Sequence, residues 1–212
     1  MQMRSSRLVE NGCWEKAQNP TSYCSLWTIW DTTIGGVTVK SPNIDRIVGE
    51  EAVILNNYYV QCLCTPTRAT LMSGRYPFHT GLGPGVIKQG QSIGLPGDET
   101  VMAETMRDAG YATHMIGKWH LGDLDERWTP TFRGYDSFLG YLLGKGEYFQ
   151  HTDKAALDFR KSSLNSANVL AAQTNEYKDV YSSLVYAERV QEIVTIARIA
   201  QSFLYYPPNY VQ

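Results

Sequence analysis

Cys62-Leu63-Cys64-Thr65-Pro66-Thr67-Arg68-Ala69-Thr70-Leu71-Met72-Ser73-Gly74-Arg75 is the stretch from which the rest of the chain is read. Pro66 suits the first position of a helix, because its missing N–H would find no partner there. Thr65 before it is an acceptable N-cap. Gly74 is a natural stop, which predicts a short helix from Pro66 to Ser73. Cys64 then sits just outside the positive end of that helix, where unpaired N–H groups favour an anion. Arg68 lies inside the first turn and can point the same way. A sulfur, a helix terminus and a guanidinium converging on one spot suit a tetrahedral oxyanion.

Working outward, Glu51 to Val60 reads as a strand that delivers the chain to Cys64: Ala52, Val53, Ile54 and Leu55 form an apolar run, and Tyr58 to Val60 are good β-formers. Tyr76 to Gly97 reads as loop, with six glycines and three prolines. His79 lies in it, either a surface residue or a catalyst. Asp98 or Thr100 starts a helix over Val101 to Ala109, with Met102, Thr105 and Met106 inward and Gly110 as the stop. Tyr111 to Ile116 is the next strand, ended by Gly117. Lys118 and His120 follow at its C-terminal end, the edge where open parallel sheets gather ligand sites. They are two residues apart, so in extended backbone they face the same side. A strand, a tight turn and a helix bearing a nucleophile are the parts of an α/β site.

C-T-P-T-R followed by S-G-R resembles the sulfatase signature, C-x-P-S/T-R followed by T/S-G-R. Asn57-Tyr58-Tyr59-Val60, Tyr76 to Leu82, and Ala112 to Gly122 around G-K-W-H-L-G resemble the arylsulfatase B group, which acts on N-acetylgalactosamine 4-sulfate. The resemblance is strong over residues 41–152 and thins beyond. Ser41 to Ile47 resembles the family's T-P-N-L-D-x-L and reads as a packed connector helix. Arg133 to Phe138 resembles R-G-F-D-x-F, read as a turn at Gly134 and then an aromatic pair entering the core. Gly94 and Trp128 stand where that group often has cysteines. The implied fold is α/β, alkaline-phosphatase-like, a mostly parallel sheet flanked by helices, and incomplete. The implied organisation is a divergent segment 1–33, a partial N-terminal catalytic domain 34–204 and a divergent tail 205–212.

The resemblance also implies a chemistry. In that family the cysteine is oxidised to formylglycine by a formylglycine-generating enzyme, and the hydrated aldehyde attacks a sulfate ester with calcium beside it. Carried over residue by residue, the catalytic set is Cys64, Arg68, Lys118 and His120, with Lys118 and His120 on the sulfate and residue 64, as formylglycine, also a ligand of Ca2+. The implied substrates are sulfated carbohydrates or aryl sulfates. The other calcium carboxylates have no counterpart: no Asp-Asp pair occurs in the sequence, and Asp31 resembles a later aspartate of the family's W-N-D segment. The family's Val-His-x-Pro histidine, its Asp-Asn pair and its second lysine are likewise unmatched. The expectation is therefore low activity for the chain alone. Two alternatives stay open: an inactive sulfatase-like piece that binds anions or glycans at most, and an unmodified Cys64 acting as a thiol nucleophile or redox residue.

Composition narrows the rest. The 212 residues suffice for one domain with a sizeable core. A formal net charge of −2 gives no electrostatic case for nucleic acid. Fourteen tyrosines fit a half-wet, carbohydrate-facing surface or simply a strand-rich composition. Cys13, Cys24, Cys62 and Cys64 can pair in three ways, and their spacings fit no common zinc pattern. No run reaches the roughly 18–20 apolar residues of a membrane span. Met1 to Gly12 does not read as a signal peptide, although proteins of the resembled group are usually lysosomal or secreted. The expectation is that the family's true start is missing or replaced.

Helix 178–203 follows from Leu184, Ala187, Val190, Val194 and Ala197 recurring at threes and fours.

Overall fold

A computed structural model describes residues 59–83, 85–154, 156–163, 172–197 and 201–206, together with Pro42, Asn43, Arg46 and Gly49. Cys13, Cys24, Asp31, most of the 41–47 helix and residues 51–58 of the expected strand lie outside the described residues. Tyr59 and Val60, the last two residues of that strand, are irregular.

Helix α1 runs Cys64–Ser73 and stops at Gly74, whose φ of 68° is left-handed. It begins two residues before Pro66. Leu63 is the N-cap, and its carbonyl receives the Thr67 N–H at 3.1 Å. The first four N–H groups of a helix have no helical partner, so proline is tolerated at the third position as at the first. Thr65 is therefore no cap, and Cys64 lies within the first turn rather than outside it. The expected loop 76–97 contains a single-turn helix, α2 (Pro77–Thr80), opened by Pro77 and closed by Gly81. Helix α3 (Met102–Asp108) starts after Val101, not after Asp98 or Thr100. Glu104 reaches back to accept the Val101 N–H at 2.9 Å. Ala103 and Met106 are buried, whereas Thr105 faces solvent, contrary to the expected face.

Strands β1 (Ala112–Lys118) and β2 (Ser137–Tyr141) pair in parallel, with Lys118 opposite Tyr141. After β2 come the short hairpin β3 (Thr152–Asp153) and β4 (Ala156–Leu157), then β5 (Arg160–Ser163) and β6 (Ala172–Gln173). Helix α4 (Ser182–Ala197) leads to β7 (Ser202–Tyr205), which returns parallel to β1. Among the described residues the main sheet has the order β6-β5-β2-β1-β7. β5 is antiparallel to β2, and β6 is antiparallel to β5. Hence β5 alone runs against the other four. Phe203 belongs to β7, so the helix expected over 178–203 is shorter at both ends.

One face of the sheet packs Met115, Phe138, Trp119 and Tyr135 with Ala69 and Met72 of α1 and Ala103 before α3's midpoint. The other packs Ile116, Leu139 and Phe159 against Val185, Tyr186 and Ile193 of α4. This is the expected α/β layering, a largely parallel sheet flanked by helices. The α4 face is offset from the expectation. Leu184 and Ala187 are exposed, and Val185 and Tyr186 are buried instead. Two apolar stripes one residue apart run along this helix, and the sheet takes the one bearing the large ring.

The 133–138 stretch behaves as read. Gly134 turns at φ 87°, and Tyr135 and Phe138 are buried. Arg133 is buried beside it. Its guanidinium donates to the carbonyls of Leu95, Pro96 and Glu99 and pairs with Glu104 at 3.1 Å. Gly94 and Trp128 are neighbours: a Cβ on Gly94 would overlap the Trp128 indole.

Candidate active site

The edge at which β1 and β2 end is where the candidate residues meet. Two backbone bonds extend the ladder beyond β1: Trp119 N–H donates to Tyr141 O at 2.9 Å, and His120 N–H to Leu142 O at 3.0 Å. Lys118, the last residue of β1, sends its ammonium to the Cys64 Sγ at 3.1 Å and to the Gly144 carbonyl at 2.7 Å. Arg68 Nη1 donates to the Lys118 carbonyl at 2.6 Å, so α1 is clamped to the end of β1 from the same side. Cys64 is half-exposed and carries no disulfide, and Cys62 beside it is exposed and also free.

His120 does not follow Lys118 in extended backbone. Its φ of 61° turns the chain, so the expected alternation does not apply there. The two side chains nevertheless meet on Gly144. A Cβ added at Gly144 would lie 2.5 Å from His120 Cε1, while the Gly144 carbonyl holds Lys118. His120 Nε2 lies 2.8 Å from the Ile87 carbonyl. A carbonyl only accepts, so Nε2 carries the proton and Nδ1 presents a lone pair. Among the described residues that Nδ1 is buried without a hydrogen-bond partner. Thr65 completes the frame: its hydroxyl donates to His120 O at 3.1 Å and accepts from the Ile87 N–H at 3.1 Å.

The electrostatics are cationic. Burial holds the Lys118 ammonium below the usual lysine range, Arg68 pushes the same way, and Cys64 opposes both. Lys145 adds a further push downward on Lys118. His120 is lowered to about 4, first by burial and then by the Lys118 charge, so it is neutral at pH 7. Tyr141 feels Arg68 and Cys64 from the end of β2, although burial dominates and pushes its hydroxyl up. The arrangement can bind a tetrahedral anion, or stabilise charge growing on one, at the head of α1.

The Asp158 carboxylate is otherwise engaged, whereas Asp123 Oδ1 is buried without a hydrogen-bond partner among the described residues. Asp158 accepts the N–H groups of Leu142 and Leu143 at 3.3 and 2.8 Å and the Arg160 Nε at 3.1 Å, which pins the loop bearing Gly144. Among the described residues no three His, Cys, Asp or Glu side chains gather to hold a metal ion. A pocket lined by Lys118, Arg68 and a neutral histidine lacks the oxygen donors calcium takes. The described residues therefore do not fit a calcium site.

Of the sequence candidates, Cys64, Arg68 and Lys118 are joined by direct contacts, and His120 stands beside them across Gly144. His79 is exposed on α2, its ring 4.2 Å from that of Phe78, and no contact with this group is seen among the described residues. Gly144, Thr65 and Tyr141 are contributors that motif reading passed over. A signal for them existed: β2 is parallel to β1, so the Leu142-Leu143-Gly144-Lys145 turn opens at the same edge as Lys118.

A family model described as Sulfatase matches residues 26–206. Mouse (Mus musculus) arylsulfatase J is 35% identical over 179 residues, covering 77% of this chain and 27% of that protein. Arylsulfatase A of Bos taurus is 41% identical over 107 residues, covering 50% and 21%. The chain thus spans about a quarter of the length of the curated relatives it matches. Among solved structures, a sulfatase from Pseudoalteromonas sp. superposes with a TM-score of 0.59 at 22% identity over 78% of this chain and 37% of that one. A protein solved with its substrate D-glucosamine-2-N,6-O-disulfate gives a TM-score of 0.57 at 21% identity over 84% and 31%. At these identities the structures speak for the fold. No helix of the described residues is long and apolar enough to cross a membrane.

Proposed function

Because the chain belongs to the sulfatase family, we propose that its β1–α1 pocket is the sulfate-ester site of a hydrolase, with residue 64 as the nucleophile after conversion of Cys64 to formylglycine by a formylglycine-generating enzyme. One observation carries the reading: the Lys118 ammonium donates to Cys64 Sγ at 3.1 Å while the Lys118 carbonyl is held by Arg68 at the head of α1. An oxygen-bearing side chain at residue 64 fits this cradle, because the same ammonium would donate to it. One hydroxyl of the hydrated residue 64 would form a bond to sulfur as the S–O bond to the alcohol breaks and the alcohol takes up a proton. The second hydroxyl would then lose its proton and become the carbonyl as the C–O bond to the sulfate breaks, and water would rehydrate the aldehyde. Lys118 and Arg68 supply positive charge fixed in advance where negative charge spreads on the transferring group. His120, neutral and with a buried, unpartnered Nδ1, would accept a hydroxyl proton where a substrate hydroxyl reaches that atom.

The substrates proposed are sulfated sugars or aryl sulfates. The arylsulfatase names of the curated relatives favour this class. Within it, N-acetylgalactosamine 4-sulfate is the finer proposal, resting on the G-K-W-H-L-G stretch over Gly117–Gly122. The region 34–204 is proposed as part of a catalytic domain.

One observation favours a second reading, a non-catalytic anion or glycan binder: the pocket's charges are cationic, and Asp158 is already engaged. Mass spectrometry of the tryptic peptide Ile47–Arg68, with hydrolysis of 4-nitrophenyl sulfate, separates the two. The hydrolase reading expects loss of sulfur from residue 64 and turnover that Lys118→Ala lowers by about 100-fold or more, as removal of one charge-stabilising donor does. Retained sulfur and no turnover, with sulfate still bound, would leave only the binder.

A further inference from the structure

The loop after β2 continues from the pocket onto an aromatic surface. Gly144 touches both Lys118 and His120. Lys145 next to it is exposed, yet close enough to depress the proton affinity of Lys118. Tyr148 lies close enough to Tyr141 to push its hydroxyl's pKa up, and Tyr141 itself feels Arg68 and Cys64. From Tyr148 the rings go on outward. The Tyr148 and Tyr181 centroids are 5.1 Å apart, and those of Phe149 and Tyr181 are 5.5 Å apart. Phe149 is 48% exposed and Tyr181 36%, so their faces remain available.

This surface is built rather than incidental. The Tyr148 carbonyl accepts the Ser182 N–H at 2.9 Å, and the Phe149 carbonyl accepts the Asp179 N–H at 2.9 Å, which ties the loop to the start of α4. The Glu147 carboxylate is taken up by the N–H groups of Phe149 and Gln150, so its charge is turned into the loop. Rings held this way stack on a ligand with little ordering cost. Lys145 lies along the chain between Gly144, which holds Lys118, and these rings.

We propose that Lys145, Tyr148, Phe149 and Tyr181 form a saccharide-docking rim beside the pocket. Lys145 would meet a second anionic group of a sulfated oligosaccharide, and the rings would take the apolar face of the adjacent pyranose. The chemistry is that of the surface itself. A cation one step from a sulfate pocket calls for a second anion at sugar spacing, and tilted exposed rings call for a C–H face. The proposal rests on the sulfate-site reading above.

The test uses the full chain and isothermal titration with a chondroitin 4-sulfate tetrasaccharide, its desulfated counterpart and inorganic sulfate. Tyr181→Ala and Phe149→Ala, both at exposed rings and each checked for an unchanged melt, are expected to weaken the sulfated tetrasaccharide by about tenfold, the order of one aromatic contact. Lys145→Glu is expected to weaken it as much. The two ring variants are expected to leave inorganic sulfate binding unchanged, Lys145→Glu to weaken it less than it weakens the tetrasaccharide, and Lys118→Ala to abolish it. If the rim variants bind the tetrasaccharide as the parent does while Lys118→Ala removes binding, the rim is overturned and the pocket stands. If Lys118→Ala leaves sulfate binding intact, the pocket reading fails. If the parent binds the desulfated sugar as tightly as the sulfated one, the role given to Lys145 is overturned.

Discussion

Gly144 carries two demands at once. Its carbonyl fixes the Lys118 ammonium at 2.7 Å, and its missing side chain makes room for the His120 ring. A methyl there would press 2.5 Å from Cε1 and 2.8 Å from Nε2 of a ring that is 4% exposed and already bonded to Ile87. Gly144→Ala is expected to cost about 1–3 kcal/mol in urea melts, the usual penalty of overpacking, and to shift the His120 ring resonances. Unmoved resonances would refute the contact. His120 also sets a pH dependence. Its pKa falls from 6.5 in the unfolded chain to about 4 in the folded one. The folded state thus takes up the proton later than the unfolded state. The stabilisation is whole above about pH 6.5 and is lost as pH falls towards 4. By linkage the loss amounts to about 3 kcal/mol. His120→Gln should flatten that part of the stability–pH curve, and an unchanged slope would place the titration elsewhere.

At the scale of elements, α4 gives the sharpest contrast. Tyr186 is 1% exposed and stacks on Phe159 at 5.7 Å, while Leu184, two residues earlier, is 59% exposed. Tyr186→Ala is expected to lose about 3–5 kcal/mol of unfolding free energy and Leu184→Ala no more than about 0.5 kcal/mol. Equal losses would mean that the helix packs by the other stripe. The same helix shows what the sequence could reveal. Its existence followed from apolar spacing, but spacing admits two stripes, and only the sheet chooses between them. The helix at Cys64 and the strand leading to Lys118 were legible because turn residues such as Gly74 and Gly110 punctuate them and the G-K-W-H-L-G string ties Lys118 to a known pattern. Thr65 was misread as a cap because proline is equally at home at the first and third helical positions. Arg133 was legible as part of a turn, not as a clamp, since its carbonyl partners at Leu95, Pro96 and Glu99 lie some 35 residues earlier. Arg133→Met would leave those carbonyls and Glu104 without their buried donor. Its expected cost in the same melts is about 3–5 kcal/mol.

The molecule as a whole joins a pocket of fixed positive charge to a sheet whose parallel edge presents it, and this bears on metal dependence. A carboxylate-rich edge would need a divalent cation to hold its own anions together. Here Lys118, Arg68 and Lys145 bear on the site, and Asp158 is spent on backbone N–H groups and Arg160. Placing calcium beside those cations would add repulsion with too few oxygen ligands to offset it. The chain is therefore expected to melt at the same temperature in 10 mM calcium chloride as in chelator. A native-state site with a Kd of about 0.1 mM would add about 2.7 kcal/mol at that concentration, a rise of roughly 5–10 °C for a chain of this size. A rise of that order would show that residues outside those described, among them Asp31, Asp45, Glu50 and Glu51, bring their carboxylates to the pocket. It would favour the hydrolase over the binder. An unchanged melt with sulfate still bound would mean that lysine and arginine alone hold the anion, so that turnover at residue 64 would proceed without a metal's charge and be correspondingly slow.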